Sequence, residues 1–304
     1  MALSVNPWRI SRLLAGASRD ECEIEFTSGN RRIRATVRSD ELWGSIKDVL
    51  VFEEYELLPA FALPLTQGKI VVDAGANAGL YSLKAAPFAK RVVSFEPSLK
   101  NSRLLARNVE QNGVRNVSVE QKAVWSKQGE VRFTDRNVGV VSQLVQAAGD
   151  YSVPTVVLDD LVDELGNIGL LKMDIEGAEY EVLLSCSDST LRRIENIAAE
   201  FHLYRPEHLQ QLSSIAVKLS RAGFTVSNLS EPSMKQAHNA LKPWRNSLLT
   251  CNGRRAFLYR AFLTGVYGGS PMLKGMKSSI DIGTQALVFA YRNAQKIQKT
   301  ATHS

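Results

Sequence analysis

The stretch VVDAGANAGLYS, residues 71–82, combines residue types that bind nucleotides. Its apolar start predicts a strand that ends at Asp73, and its glycines predict a tight turn into a helix. Dinucleotide-binding proteins use such a turn to hold a pyrophosphate at the helix N-terminus, which attracts anions. That fingerprint requires glycine at positions 75, 77 and 80, whereas this chain has Gly75, Asn77 and Leu80. The turn therefore departs from the pyrophosphate-binding pattern at two of its three glycines.

Further acidic side chains and a histidine follow the apolar runs downstream. Glu96 follows VVSF, Asp174 follows LLKM, and Glu200 and His202 stand in AAEFH. In open parallel sheets the ligand binds at the carboxyl ends of the strands. We therefore expect these four side chains to lie with Asp73 along one edge of a sheet.

His202 is the predicted general base. A lone histidine is more often structural, but a position at the end of a parallel strand favours a functional role. Glu200 precedes it by two residues and so lies on the same face of an extended chain. We expect His202 to accept a proton, with Glu200 or Asp174 orienting it or the substrate. These atoms could also hold a divalent cation, but no ligand spacing requires one, and no metal is predicted.

The segment MDIEGAE places three acids close together. Asp174, at the strand end, is expected to face a cofactor or substrate cleft. Glu179 and Glu176 have two equally good interpretations, either as acids of the site or as acids that favour the start of a helix. If several of these acids converge, their repulsion would raise the pKa of one and create a proton acceptor.

Alternating strand-like and helical segments position these residues. Short β-rich runs begin at KIVVDA and recur to ALVFAYR, with a helix between Ser98 and Gly113 and another over Pro206–Ala222. This alternation predicts an α/β fold whose parallel sheet is covered on both faces. Upstream, ECEIEFTSGNRRIRATVRS predicts a β-hairpin, and a helix is expected over about Leu42–Leu63, ending near Pro64.

Four motifs in order resemble the FkbM family of class I S-adenosylmethionine-dependent methyltransferases: VVDAGANAGLYS, VVSFEPS, LLKMDIEGAEYEVLL and IENIAAEFH. VLVFEEYEL, upstream of them, is also similar to that family, and the likeness covers roughly residues 45–230. The resemblance implies a Rossmann-like fold with a seven-stranded, mostly parallel sheet and an antiparallel last strand. It also implies S-adenosyl-L-methionine as cofactor and methylation of a hydroxyl on a sugar, polyketide or related metabolite.

The same resemblance assigns cofactor contacts. Glu96 is expected to accept hydrogen bonds from the ribose hydroxyls, because a carboxylate can bind a diol. The predicted cofactor-binding residues are Asp73, Gly75, Asn77, Gly79, Tyr81, Glu96, Ala123 and Asp174. Phe52, Tyr55 and Tyr81 could line the site, although aromatic residues at helical spacing more often belong to a core.

Basic residues are concentrated in the last quarter of the chain. The net charge is +6, yet residues 232–304 hold 11 of the 37 Lys and Arg and one of the 31 Asp and Glu. Aromatic residues interleave there with Arg254, Arg255 and Arg260. A solvated face, an anionic acceptor, RNA and a membrane surface all remain open. An RNA methyltransferase and a non-catalytic cofactor-binding scaffold are therefore alternatives to methylation of a small molecule, glycan or glycolipid.

The chain is expected to divide into four parts. These are an N-terminal hairpin and helix (1–66), a methyltransferase core (67–231), a basic insertion (232–280) and a last strand with a tail (281–304). Arg9 and Arg12 interrupt the apolar start, and no stretch reaches the length of a membrane span. The three cysteines match no metal-ligand spacing and are interpreted as buried thiols in a reducing compartment. A cytoplasmic protein is expected, with peripheral membrane contact as an option.

Overall fold

The computed structural model describes residues 3–4, 21–38, 46–51, 53–134, 151–203, 207–230 and 285–292. The strands are β1 (Leu3–Ser4), β2 (Glu21–Ser28), β3 (Arg31–Arg38), β4 (Ile70–Ala74), β5 (Arg91–Phe95), β6 (Val117–Glu120), β7 (Ala123–Val124), β8 (Glu130–Phe133), β9 (Tyr151–Val156), β10 (Ile168–Met173), β11 (Ile194–His202), β12 (Thr225–Ser230) and β13 (Gln285–Tyr291). The α-helices are α1 (Leu80–Ala85), α2 (Leu99–Gln111), α3 (Leu158–Leu165), α4 (Glu179–Ser185), α5 (Asp188–Arg192) and α6 (Glu207–Arg221).

Seven strands form one sheet in the order β12-β13-β11-β10-β4-β5-β6. Adjacent strands are parallel except at β13, which is antiparallel to both β11 and β12. This topology confirms the predicted Rossmann-like fold with a reversed last strand. In the register, Met173 pairs with both Ala74 and Ala199, and Ala74 pairs with Phe95. The carboxyl ends of β4, β5, β10 and β11 therefore share one edge.

Apolar side chains cover both faces of this sheet. Val71 and Leu170 belong to one buried cluster, whereas their neighbours Val72 and Leu171 belong to the other. Successive side chains of a strand point to opposite faces, so a strand buried on both sides must be apolar at consecutive positions. This explains the continuous apolar runs that end in polar residues.

The predicted N-terminal hairpin is confirmed, and it packs against the core. β2 and β3 pair over their full length, and Gly29 at the turn has a φ of 55°. Asn108 of α2, fully buried, accepts a hydrogen bond from Thr36 N at 2.8 Å. Its amide donates to the carbonyl oxygens of Thr36 at 2.7 Å and Ala78 at 2.8 Å. One side chain thus ties the hairpin to the loop that follows β4.

The predicted long helix before β4 is wrong where the structure describes it. One short π-helical turn, Lys47–Val51, precedes 3₁₀ turns at Glu54–Glu56, Pro59–Phe61 and Leu63–Thr66. Glu53 interrupts the helix with a left-handed φ of 51°. Pro59 and Pro64 each lie in a separate 3₁₀ turn. Proline has no backbone N–H to donate, so it does not continue the interior of a helix. Residues 42–45 and Phe52 lie outside the described residues.

Other predicted elements hold with changed bounds. Ser98 caps α2 by accepting from Asn101 N at 3.2 Å, and α6 ends one residue before the predicted Ala222. The predicted single run VSVEQKAV is two strands, β6 and β7, and β7 pairs with β9 in a separate small sheet.

The remaining predictions concern the thiols, the membrane and the basic segment. Cys22 and Cys186 are buried free thiols, as predicted. Among the described helices, none has both the length and the apolar character needed to cross a bilayer. Cys251 and the predicted insertion, 232–280, lie outside the described residues.

Candidate functional site

The loop between β4 and α1 is held in a left-handed course. Gly75, Asn77 and Gly79 have φ values of 75°, 50° and 84°. The N–H groups of Gly75 and Ala76 both donate to the carbonyl oxygen of Phe95, at 2.9 and 3.0 Å. A Cβ at Gly75 would overlap the carbonyl oxygen of Asp174, and one at Gly79 would overlap the side chain of Leu105. Close packing against backbone therefore requires glycine at 75, while the left-handed φ and the contact with Leu105 favour glycine at 79.

Asp73 supports this loop from beneath. Its carboxylate is fully buried and accepts a hydrogen bond from Ser82 Oγ at 2.6 Å. Lys172 of β10, also buried, lies with Nζ 3.3 Å from Asp73 Oδ1 and donates to the carbonyl oxygen of Gly75 at 2.9 Å. Asp73 is thus placed to act through the loop, and its burial does not support the predicted direct contact with a cofactor.

Lys172 is a site residue that the sequence interpretation missed. Burial alone would lower its pKa, but the charges of Asp73 and Asp174 raise it above the ordinary value for lysine. The ammonium is therefore charged at neutral pH. A lysine inside the apolar run LLKM was the available signal, since a buried lysine needs an anionic partner.

Glu96 joins the loop to α2. It ends β5 and is buried, and its Oε2 accepts from Asn77 N at 2.7 Å while its Oε1 accepts from Ser98 N at 2.9 Å. The predicted diol-binding acid is therefore fixed in orientation at the mouth of the glycine loop.

Two other predicted cofactor residues lie further from this mouth. Tyr81 is buried in the core with its ring centroid 5.6 Å from that of Tyr55, and its hydroxyl makes no hydrogen bond among the described residues. Ala123 begins β7, just beyond the carboxyl end of β6. Their contacts with a cofactor stay predictions.

Asp174, Glu176 and His202 converge at the ends of β10 and β11. One ligand-type atom from each lies within 4.8 Å of the others. Nε2 of His202 is 3.5 Å from Glu176 Oε2, and Nδ1 is 3.5 Å from Glu179 Oε1. His202 and Glu179 are buried, whereas the side chains of Asp174 and Glu176 are 29% and 40% exposed. The two nitrogens of one imidazole thus face a buried and an open carboxylate.

The electrostatics weigh against His202 as the base. Burial alone would lower its pKa, but the carboxylate of Glu179, together with Asp174 and Glu176, raises it to about 10. At neutral pH the imidazole is then protonated and has no lone pair to accept a proton. Glu179, which we interpreted as either a helix-start acid or a site acid, is the residue that orients His202.

Glu200 contacts Tyr55, a partner that the sequence did not predict for it. Its Oε2 lies 2.9 Å from Tyr55 Oη, and that hydroxyl also lies 2.9 Å from Asp174 Oδ2. A phenol has one hydrogen, so it can donate to only one of these oxygens. Burial, reinforced by Asp174, raises the pKa of Glu200 well above its ordinary value, which favours the protonated form that could supply a second hydrogen. Tyr55, predicted more often to be core, therefore links Asp174 to Glu200.

Comparison with known proteins agrees with this arrangement. The model of the methyltransferase FkbM domain matches residues 73–226, which is half of the chain. The chain belongs to the FkbM methyltransferase family.

Relatives of this FkbM methyltransferase differ widely in length. It is 24% identical over 186 residues to Methyltransferase 1 of Beauveria bassiana, a match that covers 51% of this chain and 71% of that protein. It is 26% identical over 249 residues to the AMB antimetabolite synthetase AmbE of Pseudomonas aeruginosa, covering 67% of this chain but 12% of that protein. An rRNA methylase structure from Streptococcus thermophilus aligns with a TM-score of 0.41 at 12% identity, covering 79% of this chain and 94% of that one.

The cofactor of this FkbM methyltransferase is S-adenosyl-L-methionine, and the residues present fit it. Residue 75 lies so close to the Asp174 backbone that only glycine fits there. Beside it, Glu96 presents a fixed carboxylate suited to a ribose diol. The acids that follow β10 and the histidine that ends β11 lie along the same strand edge.

Replacing Gly75 by alanine tests the loop. We expect more than about a tenfold loss of S-adenosylmethionine affinity by calorimetry, because the added Cβ must displace the Asp174 backbone. Gly113→Ala is the matched control, with a φ of 59° and no described atom within 4 Å of its Cβ. It should cost about 1–2 kcal/mol of stability from the left-handed backbone alone and leave affinity unchanged. Equal affinities in the two variants would contradict the role given to Gly75.

A pair of tyrosine variants tests the link between Tyr55 and the two acids. Tyr55→Phe should lower the free energy of unfolding by about 1–3 kcal/mol, because it removes the hydroxyl between two buried or half-buried carboxyl groups. Tyr81→Phe removes an equally buried hydroxyl that has no described partner, and should change stability by about 0.5 kcal/mol or less. Urea unfolding measures both. Similar losses in the two variants would show that the hydrogen bonds of Tyr55 contribute nothing.

Proposed function

We propose that this FkbM methyltransferase methylates a hydroxyl group on a sugar, glycan, glycolipid or secondary metabolite. The observation that carries the proposal is the convergence of Asp174, Glu176 and His202 beside the glycine loop. Such a cluster suits an acceptor rich in hydroxyl groups, because carboxylates accept hydrogen bonds from hydroxyls and an imidazolium donates them.

Positioning dominates the proposed mechanism. The cofactor supplies a sulfonium-bound methyl group, and its transfer leaves a neutral thioether. The protein therefore needs no group to neutralise a leaving anion. Glu96 would hold the ribose, and the loop from Gly75 to Gly79 would face the amino-acid part of the cofactor. Fixing the acceptor oxygen about 3 Å from the methyl carbon can lower the barrier by several kcal/mol.

The acceptor proton must also leave, since a neutral hydroxyl is a weak nucleophile. Asp174 is the partly exposed acid next to the end of β10, and the hydroxyl of Tyr55 and the ammonium of Lys172 both approach its Oδ2. We assign proton acceptance to this edge of the cluster, with His202 donating a hydrogen bond to the acceptor. Removing a proton acceptor of this kind typically costs about two to four orders of magnitude in rate.

The alternatives depend on residues outside the described part of the chain. RNA methylation and peripheral contact with an anionic membrane both rely on the basic segment 232–280. A cytoplasmic location and a glycolipid acceptor are likewise proposals. The site itself supports a compact acceptor with several oxygens.

Incubation with radiolabelled S-adenosylmethionine and a fractionated cell extract tests the proposal. Label is expected in glycan, lipid or small-molecule fractions. Asp174→Asn should lower incorporation by about two to four orders of magnitude, far more than it weakens cofactor binding. Glu96→Gln should instead weaken cofactor binding by about tenfold or more, because it replaces a charged acceptor of hydrogen bonds.

Glu110→Gln, on the exposed face of α2, is the control for both variants and should match the native chain. Label recovered in RNA would replace the proposal by the RNA alternative. Cofactor binding with no label in any fraction would identify a non-catalytic scaffold.

A further inference from the structure

We propose that Asp174, Glu176 and His202 form a binding site for a hard divalent cation of the Mg²⁺ or Mn²⁺ type. This revises our expectation that no metal is present. The binding itself is independent of the proposed function, whereas the catalytic role given to the cation below rests on that function.

The donor set suits such an ion. Two carboxylates and one imidazole nitrogen lie within 4.8 Å of one another, and a modest closure would bring them to coordination distance. Oxygen donors suit Mg²⁺, and Mn²⁺ accepts an imidazole beside carboxylates. The three side chains come from the end of β10, the loop after it and the end of β11, so one side of the ion would stay open to other oxygens.

Each ring nitrogen of His202 faces a different carboxylate. Nε2 faces Glu176 at 3.5 Å, while Nδ1 faces Glu179 at 3.5 Å. Glu179 is fully buried, and its Oε1 is held by Ile175 N at 2.8 Å. A carboxylate behind a histidine is the usual outer support of a metal-ligating imidazole, because it fixes the ring and its tautomer. His202 is thus oriented with Nε2 toward the open acids, and a bound cation would displace the proton that Nε2 carries in the metal-free protein.

Asp174 is similarly fixed from one side. Tyr55 donates to its Oδ2 at 2.9 Å, and Lys172 Nζ lies 3.9 Å from the same atom. Among the described residues, no hydrogen bond reaches Oδ1, which leaves that oxygen for another ligand. The ammonium of Lys172 lies nearer to Asp73, at 3.3 Å, than to Asp174. The cluster therefore keeps an excess of negative charge that a divalent cation would balance.

The position of the cluster suggests a substrate class. A cation there would hold two neighbouring oxygens of the acceptor, as in a vicinal diol or a hydroxyl beside a carbonyl group. It would make the hydroxyl more acidic, so that its proton passes to solvent water. The oxygen then attacks the methyl carbon, the C–O bond forms, and the C–S bond breaks with its electron pair remaining on sulfur. Asp174 would then serve as a ligand, and solvent would take the proton.

Titration of the full chain with Mn²⁺, followed by electron paramagnetic resonance after prior chelator treatment, tests the site. Free Mn²⁺ is varied up to about 1 mM, the weak end of the affinities of protein sites for hard divalent cations. The native chain should bind one ion. Asp174→Asn and Glu176→Gln should abolish binding, and Glu179→Gln should weaken it by about ten- to a hundredfold.

Glu181→Gln is the matched control, because Glu181 is exposed on the same helix as Glu179 and should leave binding intact. Circular dichroism confirms that each variant is folded. Failure of the native chain to bind Mn²⁺, or unchanged binding in the folded Asp174→Asn and Glu176→Gln variants, would overturn the proposal. Because no cofactor or acceptor is present, either result leaves the methyl-transfer proposal to its own test.

Discussion

A buried ammonium organises the edge of the sheet where the site lies. Nζ of Lys172 is paired with Asp73 and bonded to the carbonyl oxygen of Gly75, and it also faces Asp174. It therefore links the last residues of β4 to those of β10, the strands that carry the glycine loop and the acid cluster. Removing one partner of a buried ion pair leaves an uncompensated charge, which typically costs about 3–5 kcal/mol. The positions of the loop and of Asp174 depend on one another through this lysine and through the contact that only glycine permits at position 75.

The site has two halves along this edge of the sheet. On the side of β5, Glu96 receives the N–H groups of Asn77 and Ser98 and so sets the loop against the start of α2. On the side of β11, His202 stands between Glu179 and the open acids. We propose the first half for the nucleoside and the second for the acceptor. The segment before β4 completes the second half, because Tyr55 reaches both Asp174 and Glu200.

Much of this arrangement could be predicted from the sequence because parallel strands bring their carboxyl ends together. Glu96, Asp174 and His202 follow apolar runs, and the spacing of the glycine loop pointed to the same family that the domain model identifies. Local patterns carry such information without knowledge of the packing. The hairpin and α2 were predictable for the same reason, since alternation and an N-cap are local signals.

The rest depends on partners distant in sequence. Lys172 and Tyr55 become site residues through contacts with Asp73 and Glu200, more than 90 residues away in each case. Periodicity placed Glu200 beside His202, but the structure turns Glu200 toward Tyr55, and the carboxylate that faces Nδ1 of His202 is that of Glu179. The prediction of one long helix before β4 was wrong because apolar spacing carries no information on the left-handed φ of Glu53 or on the two prolines beyond it.

The central claim is that the loop and Glu96 hold the nucleoside, and a crystal structure with S-adenosylhomocysteine tests it most directly. The account predicts ribose hydroxyls bonded to the Glu96 carboxylate and the sulfur directed toward Asp174, whereas a nucleoside bound away from Glu96 would contradict it.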